Sequence, residues 1–313
     1  MHYRKLGNTN LEISEISLGL MGMGSQQWRE WVLEKNESFA ILSRAKEMGV
    51  NFFDTSNFYS LGESETLLGD YFNEAGCRDK IVIATKFGNR RNTDPNMGGY
   101  SKKHIISAVE GSLRRLRTDY IDLLQTHIWE PDSNIEEVLE AFEMLKAQGK
   151  IIYAGFTNVP MWQLALAERN DASQKTSRWD SVQVEYNYLR ADSEDNLMPF
   201  CKAIGKGVLA YGPIARGYLA GSTETRTTNR ALTDEYLHQW YVSKEDERRR
   251  KIIISLAKEY NWSAAQLSLA WALGNRDISS VLVGVANPDQ LIDLLAIEPD
   301  KYEGIRDLIA SEK

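Results

Sequence analysis

Cysteine is nearly absent: Cys77 and Cys201 are the only two in 313 residues. They stand far apart, without the short spacing of metal-binding pairs. That argues against a disulfide framework or a zinc site and suits a reducing compartment. Long apolar runs are missing too, and Met1-His2-Tyr3-Arg4-Lys5 has no apolar core of signal-peptide length. A cytoplasmic location is therefore expected, with no membrane partner. Nor is there a basic excess. The formal charge is −7, and the one dense cluster, Arg248-Arg249-Arg250-Lys251, reads as the solvated face of a charged helix. Nucleic acid is not an expected partner. Prolines are few, and no linker or low-complexity segment divides the chain, so residues 1–313 are expected to form a single domain.

What the chain has instead is alternation. Short, nearly continuous apolar runs occur at Ile16–Leu20, Val50–Asp54, Ile81–Lys86, Ile121–His127, Ile151–Gly155, Val182–Tyr186, Val208–Tyr211 and Val281–Gly284. They read as parallel strands covered from outside. Amphipathic helical stretches lie between them. Asn36 is expected to cap one that runs to Gly49, Ser101 another, and Ser133 with Glu136 to form a capping box. Ser263 with Gln266 repeats that box, and Asn287-Pro288 offers a cap followed by proline at the first helical position. Repeated βα units of this number predict an α/β fold, a closed (β/α)8 TIM barrel, in preference to an open doubly wound sheet. Tyr3–Lys5 and Leu11–Ser14, joined through Gly7-Asn8-Thr9-Asn10, read as an N-terminal β-hairpin able to plug the closed end. The polar stretch Gly221–Thr233 reads as a mobile loop.

In a parallel barrel the C-terminal strand ends carry the active site. Asp54, Lys86 and His127 close consecutive apolar runs, and Tyr59 follows Asp54 closely. Singly, each has an ordinary reading as a loop cap, a surface charge or a packed imidazole. Together they describe a phenol equipped to give up its proton. Tyrosine ordinarily titrates near ~10 and keeps its proton at neutral pH. An ammonium beside it is expected to lower that value, and a carboxylate is needed to keep a buried lysine charged. Tyr59 is thus the expected general acid, supported by Lys86 and Asp54. His127 is expected to orient a carbonyl oxygen or relay a proton. This equipment suits hydride transfer to a carbonyl.

Several segments then carry a resemblance, in order, over essentially the whole chain. They are Phe53-Asp54-Thr55-Ser56-Asn57-Phe58-Tyr59, Ala84-Thr85-Lys86-Phe87-Gly88, Leu116-Arg117-Thr118-Asp119-Tyr120-Ile121-Asp122-Leu123 and Gln125-Thr126-His127. Gly155-Phe156-Thr157-Asn158, Val182-Gln183-Val184-Glu185-Tyr186-Asn187 and Tyr211-Gly212-Pro213-Ile214-Ala215-Arg216-Gly217-Tyr218-Leu219 follow. With them the chain resembles the aldo-keto reductases, in the branch of aryl-alcohol dehydrogenase-like enzymes and sugar ketoreductases.

The resemblance implies a nicotinamide cofactor, NADP(H) or NAD(H), bound across the rim without a Rossmann fold. It implies that Thr157, Asn158 and Gln183 bond the carboxamide and that Tyr211 stacks on the ring. Gly212, Pro213, Ile214, Arg216, Gly217 and Leu219 would follow the pyrophosphate. Gly284 and the helix opening at Asn287 would hold phosphate, with Gln290 near adenine. Such pairings make chemical sense, since amides pair with amides and an aromatic face holds a flat ring. Two positions depart from the family pattern. Ala286 stands where many relatives place a cation or serine for the 2′-phosphate, and Leu294 where asparagine often meets adenine. NADPH and NADH both stay open; Arg226 or Arg230 could supply the missing cation.

On the substrate side the resemblance makes Trp28 and Trp129 the walls of a pocket for a small-molecule carbonyl, an aromatic aldehyde or a keto-sugar. Two other classes share parts of this equipment. One is a cofactor-binding regulatory subunit with little turnover, and the other a Schiff-base aldolase using Lys86 as nucleophile.

Overall fold

In the computed structural model the expected alternation closes on itself. Residues 1–90, 93–171, 178–221, 229–297, 302 and 304–311 are described. A two-stranded antiparallel hairpin comes first, β1 (Tyr3–Lys5) with β2 (Glu12–Ser14). Then follow β3 (Ile16–Gly19), α1 (Lys35–Glu47), β4 (Phe52–Asp54), α2 (Glu63–Glu74), β5 (Val82–Phe87), α3 (Lys102–Leu116), β6 (Ile121–Thr126) and α4 (Ile135–Ala147). Next are β7 (Ile151–Thr157), α5 (Met161–Asp171), β8 (Ser181–Glu185), α6 (Leu197–Ile204) and β9 (Gly207–Tyr211). The remainder comprises α7 (Asn229–Thr233), α8 (Glu235–Trp240), α9 (Lys244–Glu259), α10 (Ala264–Leu273), β10 (Ser280–Val283), α11 (Pro288–Leu295) and α12 (Ile305–Ser311). Strands β3 to β10 pair in parallel, each with its neighbour in sequence, and β10 closes onto β3. The result is the (β/α)8 TIM barrel with its N-terminal hairpin.

Two apolar layers hold it. Outside the strands, residues such as Phe53, Ile83, Leu124, Phe142 and Phe156 join the helices in one large core. Inside, Phe52, Val82, Ala84, Leu123, Leu209 and Leu282 meet Leu6 and Ile13 from the hairpin. Successive strand residues face opposite ways, which is why Phe52 and Phe53 belong to different layers. The hairpin therefore plugs the barrel floor, leaving the opposite rim for polar residues. Gly7 permits that docking. At φ +55°, with a Cβ position only 2.5 Å from the Gly205 carbonyl oxygen, it has no room for a side chain.

Helix starts follow the expected chemistry with two shifts. Ser101, Ser263 and Asn287 each accept a bond from the backbone N–H three residues on, at 3.3, 3.1 and 2.9 Å. For α1, however, the cap is Glu34 and not Asn36, which is already helical; the Glu37 carboxylate accepts from the Glu34 N–H at 3.1 Å. For α4, Asn134 caps and its neighbour Ser133 does not; Asn134 accepts from the Glu136 N–H at 3.1 Å. Both are good capping types side by side, so local sequence could not separate them. The stretch read as a mobile loop ends in helix α7, while residues 222–228, Arg226 among them, lie outside the described residues. Among the described residues no helix is long and apolar enough to cross a membrane.

Candidate active site

Asp54 ends β4, Lys86 is the penultimate residue of β5, and His127 follows β6 directly. Tyr59 opens a tight turn after β4. Parity aims Asp54 inward with Phe52, and Lys86 inward with Ala84, above the apolar plug. Both are essentially inaccessible to water, at 2% and 1% exposure, so the ammonium needs its charge answered. It is bonded to Asp54 Oδ1, reaches the Thr55 carbonyl at 3.0 Å and lies 3.4 Å from the Tyr59 hydroxyl. These three partners account for the three ammonium hydrogens.

The other carboxylate oxygen of Asp54 is held from across the barrel. Gln125 Nε2 donates to Oδ2 at 3.1 Å and Gln183 Nε2 at 3.0 Å. Asp54 is thereby clamped between an ammonium and two amides from β5, β6 and β8. Gln183 was expected only as a cofactor contact; its amide nitrogen is committed to the carboxylate. Gln125 was not singled out at all. Its signal was a polar residue at an inward position of an apolar strand, two residues before His127. Gly155 makes room for it, since a Cβ there would lie 3.3 Å from Gln125 Cγ and 2.6 Å from Ser181 Oγ.

Electrostatics sort the protons. Burial alone would lower the Lys86 value, but Asp54 and Tyr59 overcome it and hold the ammonium above its ordinary range. Tyr59 corrects an expectation. Lys86 does pull its value down, but burial and the Asp54 charge push harder, and the net shift is upward. The phenol thus keeps its proton at neutral pH. Burial, helped by the Lys86 charge, takes His127 well below the usual imidazole value, so the ring is neutral.

His127 Nδ1 lies 3.0 Å from Ser56 Oγ, and its ring stands edge-on to Tyr59, centroids 5.3 Å apart. Phe58 and Trp28 complete an aromatic rim: Trp28 is 6.1 Å from Phe58 and 6.5 Å from Tyr59, with Arg29 over its face at 4.5 Å. Trp129 is placed otherwise. It is nearly buried in the outer core, its aromatic neighbours are Tyr100 and Phe156, and its indole N–H donates to Gln163. A buried indole needs such an acceptor, and these contacts seat Trp129 in the outer core. The residue exposed beside His127 is Ile128, at 61%.

On the other half of the rim, the Thr157 hydroxyl is buried without a hydrogen-bond partner. Thr157 pairs in register with Gln183, and Asn158 donates from its amide to the Tyr211 hydroxyl at 3.1 Å. An orphaned hydroxyl beside two amides and a phenol fits a carboxamide-bearing flat ring. Further round, Gly212 to Leu219 turn through Ala215, Arg216 and Gly217, all left-handed at φ 49°, 57° and 94°. Among the described residues seven non-glycine ones have positive φ, and five of them (Ser60, Leu61, Asn158, Ala215 and Arg216) lie on this rim. Backbone strain is thus concentrated on the same rim as the buried charges.

Arg216 grips Asp234 through two nitrogens at 2.9 and 3.0 Å, and Arg230 bonds the same carboxylate at 3.2 Å. Two guanidiniums share one buried acid, and burial with the Arg216 charge lowers the Arg230 value to about 10. The pair carries a net positive charge that suits phosphate. Arg230 also reaches the end of β10, its Nη1 4.0 Å from where a Gly284 Cβ would stand. There Asn287 caps α11, and Gln290 Oε1 accepts from the Ala286 N–H at 2.8 Å. Leu294 is a buried core residue of that helix.

Comparison with known proteins covers the same ground. A sequence model described as the aldo/keto reductase family matches residues 15–303. The aldo-keto reductase AFTS1 of Alternaria alternata is 31% identical over 324 residues, covering 95% of this chain and 88% of that protein. A Schizosaccharomyces pombe protein named "Putative aryl-alcohol dehydrogenase C977.14c" is 33% identical over 319 residues, covering 94% and 90%. The versiconal hemiacetal acetate reductase of Aspergillus parasiticus is 30% identical over 317 residues, covering 95% and 92%.

Proposed function

Because the chain belongs to the aldo/keto reductase family, we propose that it reduces an aldehyde or ketone to an alcohol with a nicotinamide cofactor, using Tyr59 as the proton donor. The observation that carries this reading is the Tyr59 hydroxyl held 3.4 Å from an ammonium that is itself locked to a buried carboxylate. When bound, the reduced nicotinamide supplies the hydride for the carbonyl carbon. Tyr59 gives its proton to the carbonyl oxygen as negative charge develops there. Lys86 stabilises the phenolate left behind, and Asp54 keeps Lys86 charged for that task. Burial keeps the phenol protonated until it is needed.

On the cofactor side, Thr157 with Asn158 and the free carbonyl end of the Gln183 amide suit the carboxamide, and Tyr211 the ring. The turn from Gly212 through Pro213, Ile214, Arg216 and Gly217 to Leu219, with Gly284, Asn287 and Gln290, suits the phosphates and adenosine. Arg230 beside Gly284 compensates for the missing cation at Ala286, and this favours NADPH over NADH. The substrate rim is aromatic and apolar, with Trp28, Phe58 and the exposed Leu61 and Ile128. Such walls favour an aromatic aldehyde over a keto-sugar, which would need hydroxyl partners.

Loss of reduced-nicotinamide absorbance with 4-nitrobenzaldehyde, followed for wild type and Tyr59→Phe, tests the proposal. Wild type should turn over with NADPH, while Tyr59→Phe should bind cofactor equally and lose nearly all turnover. Equal rates in the two proteins would refute the role of Tyr59.

A further inference from the structure

The equipment so far leaves His127 with two roles, orienting a carbonyl oxygen or relaying a proton. Which one it can perform depends on the ring nitrogen that carries the hydrogen. We propose that Ser56 is a positioning residue that fixes His127 as its Nε2–H tautomer, so that the ring donates to the carbonyl oxygen alongside Tyr59.

The argument is a count of hydrogens. Ser56 is wholly buried, so water cannot complete its bonding. Its Oγ accepts from the Phe58 N–H at 3.1 Å. The other polar partner of the hydroxyl is His127 Nδ1 at 3.0 Å. A hydroxyl has one hydrogen to place. Were Nδ1 protonated, Ser56 would accept twice and its own hydrogen would be buried without an acceptor, at the cost of an unmade bond. With Nδ1 as acceptor the Ser56 hydroxyl and Nδ1 are both satisfied, and a neutral ring then carries its hydrogen on Nε2. That nitrogen is a donor facing the rim, while the ring's one lone pair, on Nδ1, is taken by a buried serine whose other partner is the Phe58 N–H, a donor that gives the hydroxyl no proton to pass on. Orientation is therefore favoured over relay.

The geometry is also rigid. Thr55 N–H bonds the Ala84 carbonyl at 2.8 Å and Asn57 N–H the Lys86 carbonyl at 3.1 Å, so this turn is tied to β5 on both sides of Ser56. Tyr59 N–H closes onto the Ser56 carbonyl at 3.2 Å. One short stretch of backbone thus places the carboxylate, the serine that sets the imidazole and the phenol. The hydroxyl is an addition to the acid–base set: nothing in proton donation by Tyr59 itself requires a serine here.

The tautomer stands on the bonds of Ser56 alone, whereas its use in catalysis rests on the reductase reading, and the two are measured separately. Long-range 15N–1H correlation spectra of protein labelled at histidine report which nitrogen is bare. The four histidines are assigned by the set that vanishes in His127→Gln. In wild type, Nδ1 of His127 should be bare and Nε2 protonated. Ser56→Ala should give a mixture of tautomers and Ser56→Thr should restore the single form. In turnover, Ser56→Ala should lower kcat/KM for the aldehyde by roughly three- to tenfold, the worth of one hydrogen bond, with cofactor affinity unchanged. A protonated Nδ1 in wild type, a doubly protonated ring, or the same single tautomer in Ser56→Ala would each overturn the assignment. Absence of turnover in wild type would count against the reductase reading and leave the spectra to decide the tautomer.

Discussion

Replacing Asp54 by asparagine removes one charge and almost no volume, yet the site predicts a large effect. Lys86 is 1% exposed, and Asp54 is its one counter-charge among its three bonded partners. An asparagine keeps one acceptor and gains a donor. If its oxygen stays on the side of Gln125 and Gln183, its NH2 faces the ammonium. If it flips, its NH2 faces two amide NH2 groups. Either way donors oppose donors, which the carboxylate avoids because both its oxygens accept. Removing one partner of a buried ion pair costs about 3–5 kcal/mol, because the other charge is left desolvated. Loss of the Lys86 proton would relieve part of this, but a neutral amine no longer stabilises the Tyr59 phenolate. Asp54→Asn should therefore lower unfolding free energy by about 3 kcal/mol or more, and should depress kcat with a shifted pH profile. Urea unfolding followed by circular dichroism, beside the pH dependence of kcat, checks both. A midpoint within error of wild type together with an unchanged profile would refute the account of the Asp54–Lys86 couple.

Other outcomes follow from the same geometry. His127 in the folded protein titrates well below its ordinary value, through burial and the Lys86 charge. Between the unfolded value near ~6.5 and that lower folded one, the unfolded chain binds the extra proton, so stability falls as pH falls, by up to about 1.4 kcal/mol per pH unit. Urea midpoints across that window should be flatter for His127→Gln, and identical slopes would remove His127 from the linkage. Arg230→Ala should weaken NADPH binding by about 10- to 100-fold, the range of a charge-assisted hydrogen bond, and leave NADH nearly untouched. Fluorescence titration with both cofactors checks this, and equal losses would dissociate Arg230 from the 2′-phosphate. Leu61 is 59% exposed at φ 55°. Leu61→Gly should raise stability by about 0.5–1 kcal/mol, because relief of the left-handed strain, about 1–2 kcal/mol, exceeds the added freedom of the unfolded chain, about 0.4–1 kcal/mol. A lowered melting temperature would show that the turn is not strained at that residue.

The barrel and the meeting of Asp54, Tyr59, Lys86 and His127 on one rim were legible because each rests on local pattern. A parallel strand buried on both faces is a short apolar run, and the residue at its end sits on the catalytic rim whatever the details of packing. Asp54, Lys86 and His127 needed only that reasoning, and Tyr59 only its nearness to Asp54. Caps were less secure where two capping types adjoin, as with Ser133 and Asn134. Pairings between distant segments were not legible at all. The bonds from Gln125 and Gln183 to Asp54 span 71 and 129 residues, and the bond between Ser56 and His127 spans 71.

By itself, then, the sequence determined the strand count, the plugged floor, the polar rim and the family. Only the tertiary structure decided that Trp129 turns into the outer core while Ile128 faces out, that Arg230 reaches Gly284, and that Gln125 joins the carboxylate clamp. It also decided the direction in which Tyr59 shifts. A lysine beside a tyrosine is a statement about type, but the balance between its charge and the loss of water depends on how deeply both are buried, and burial is a property of the closed barrel.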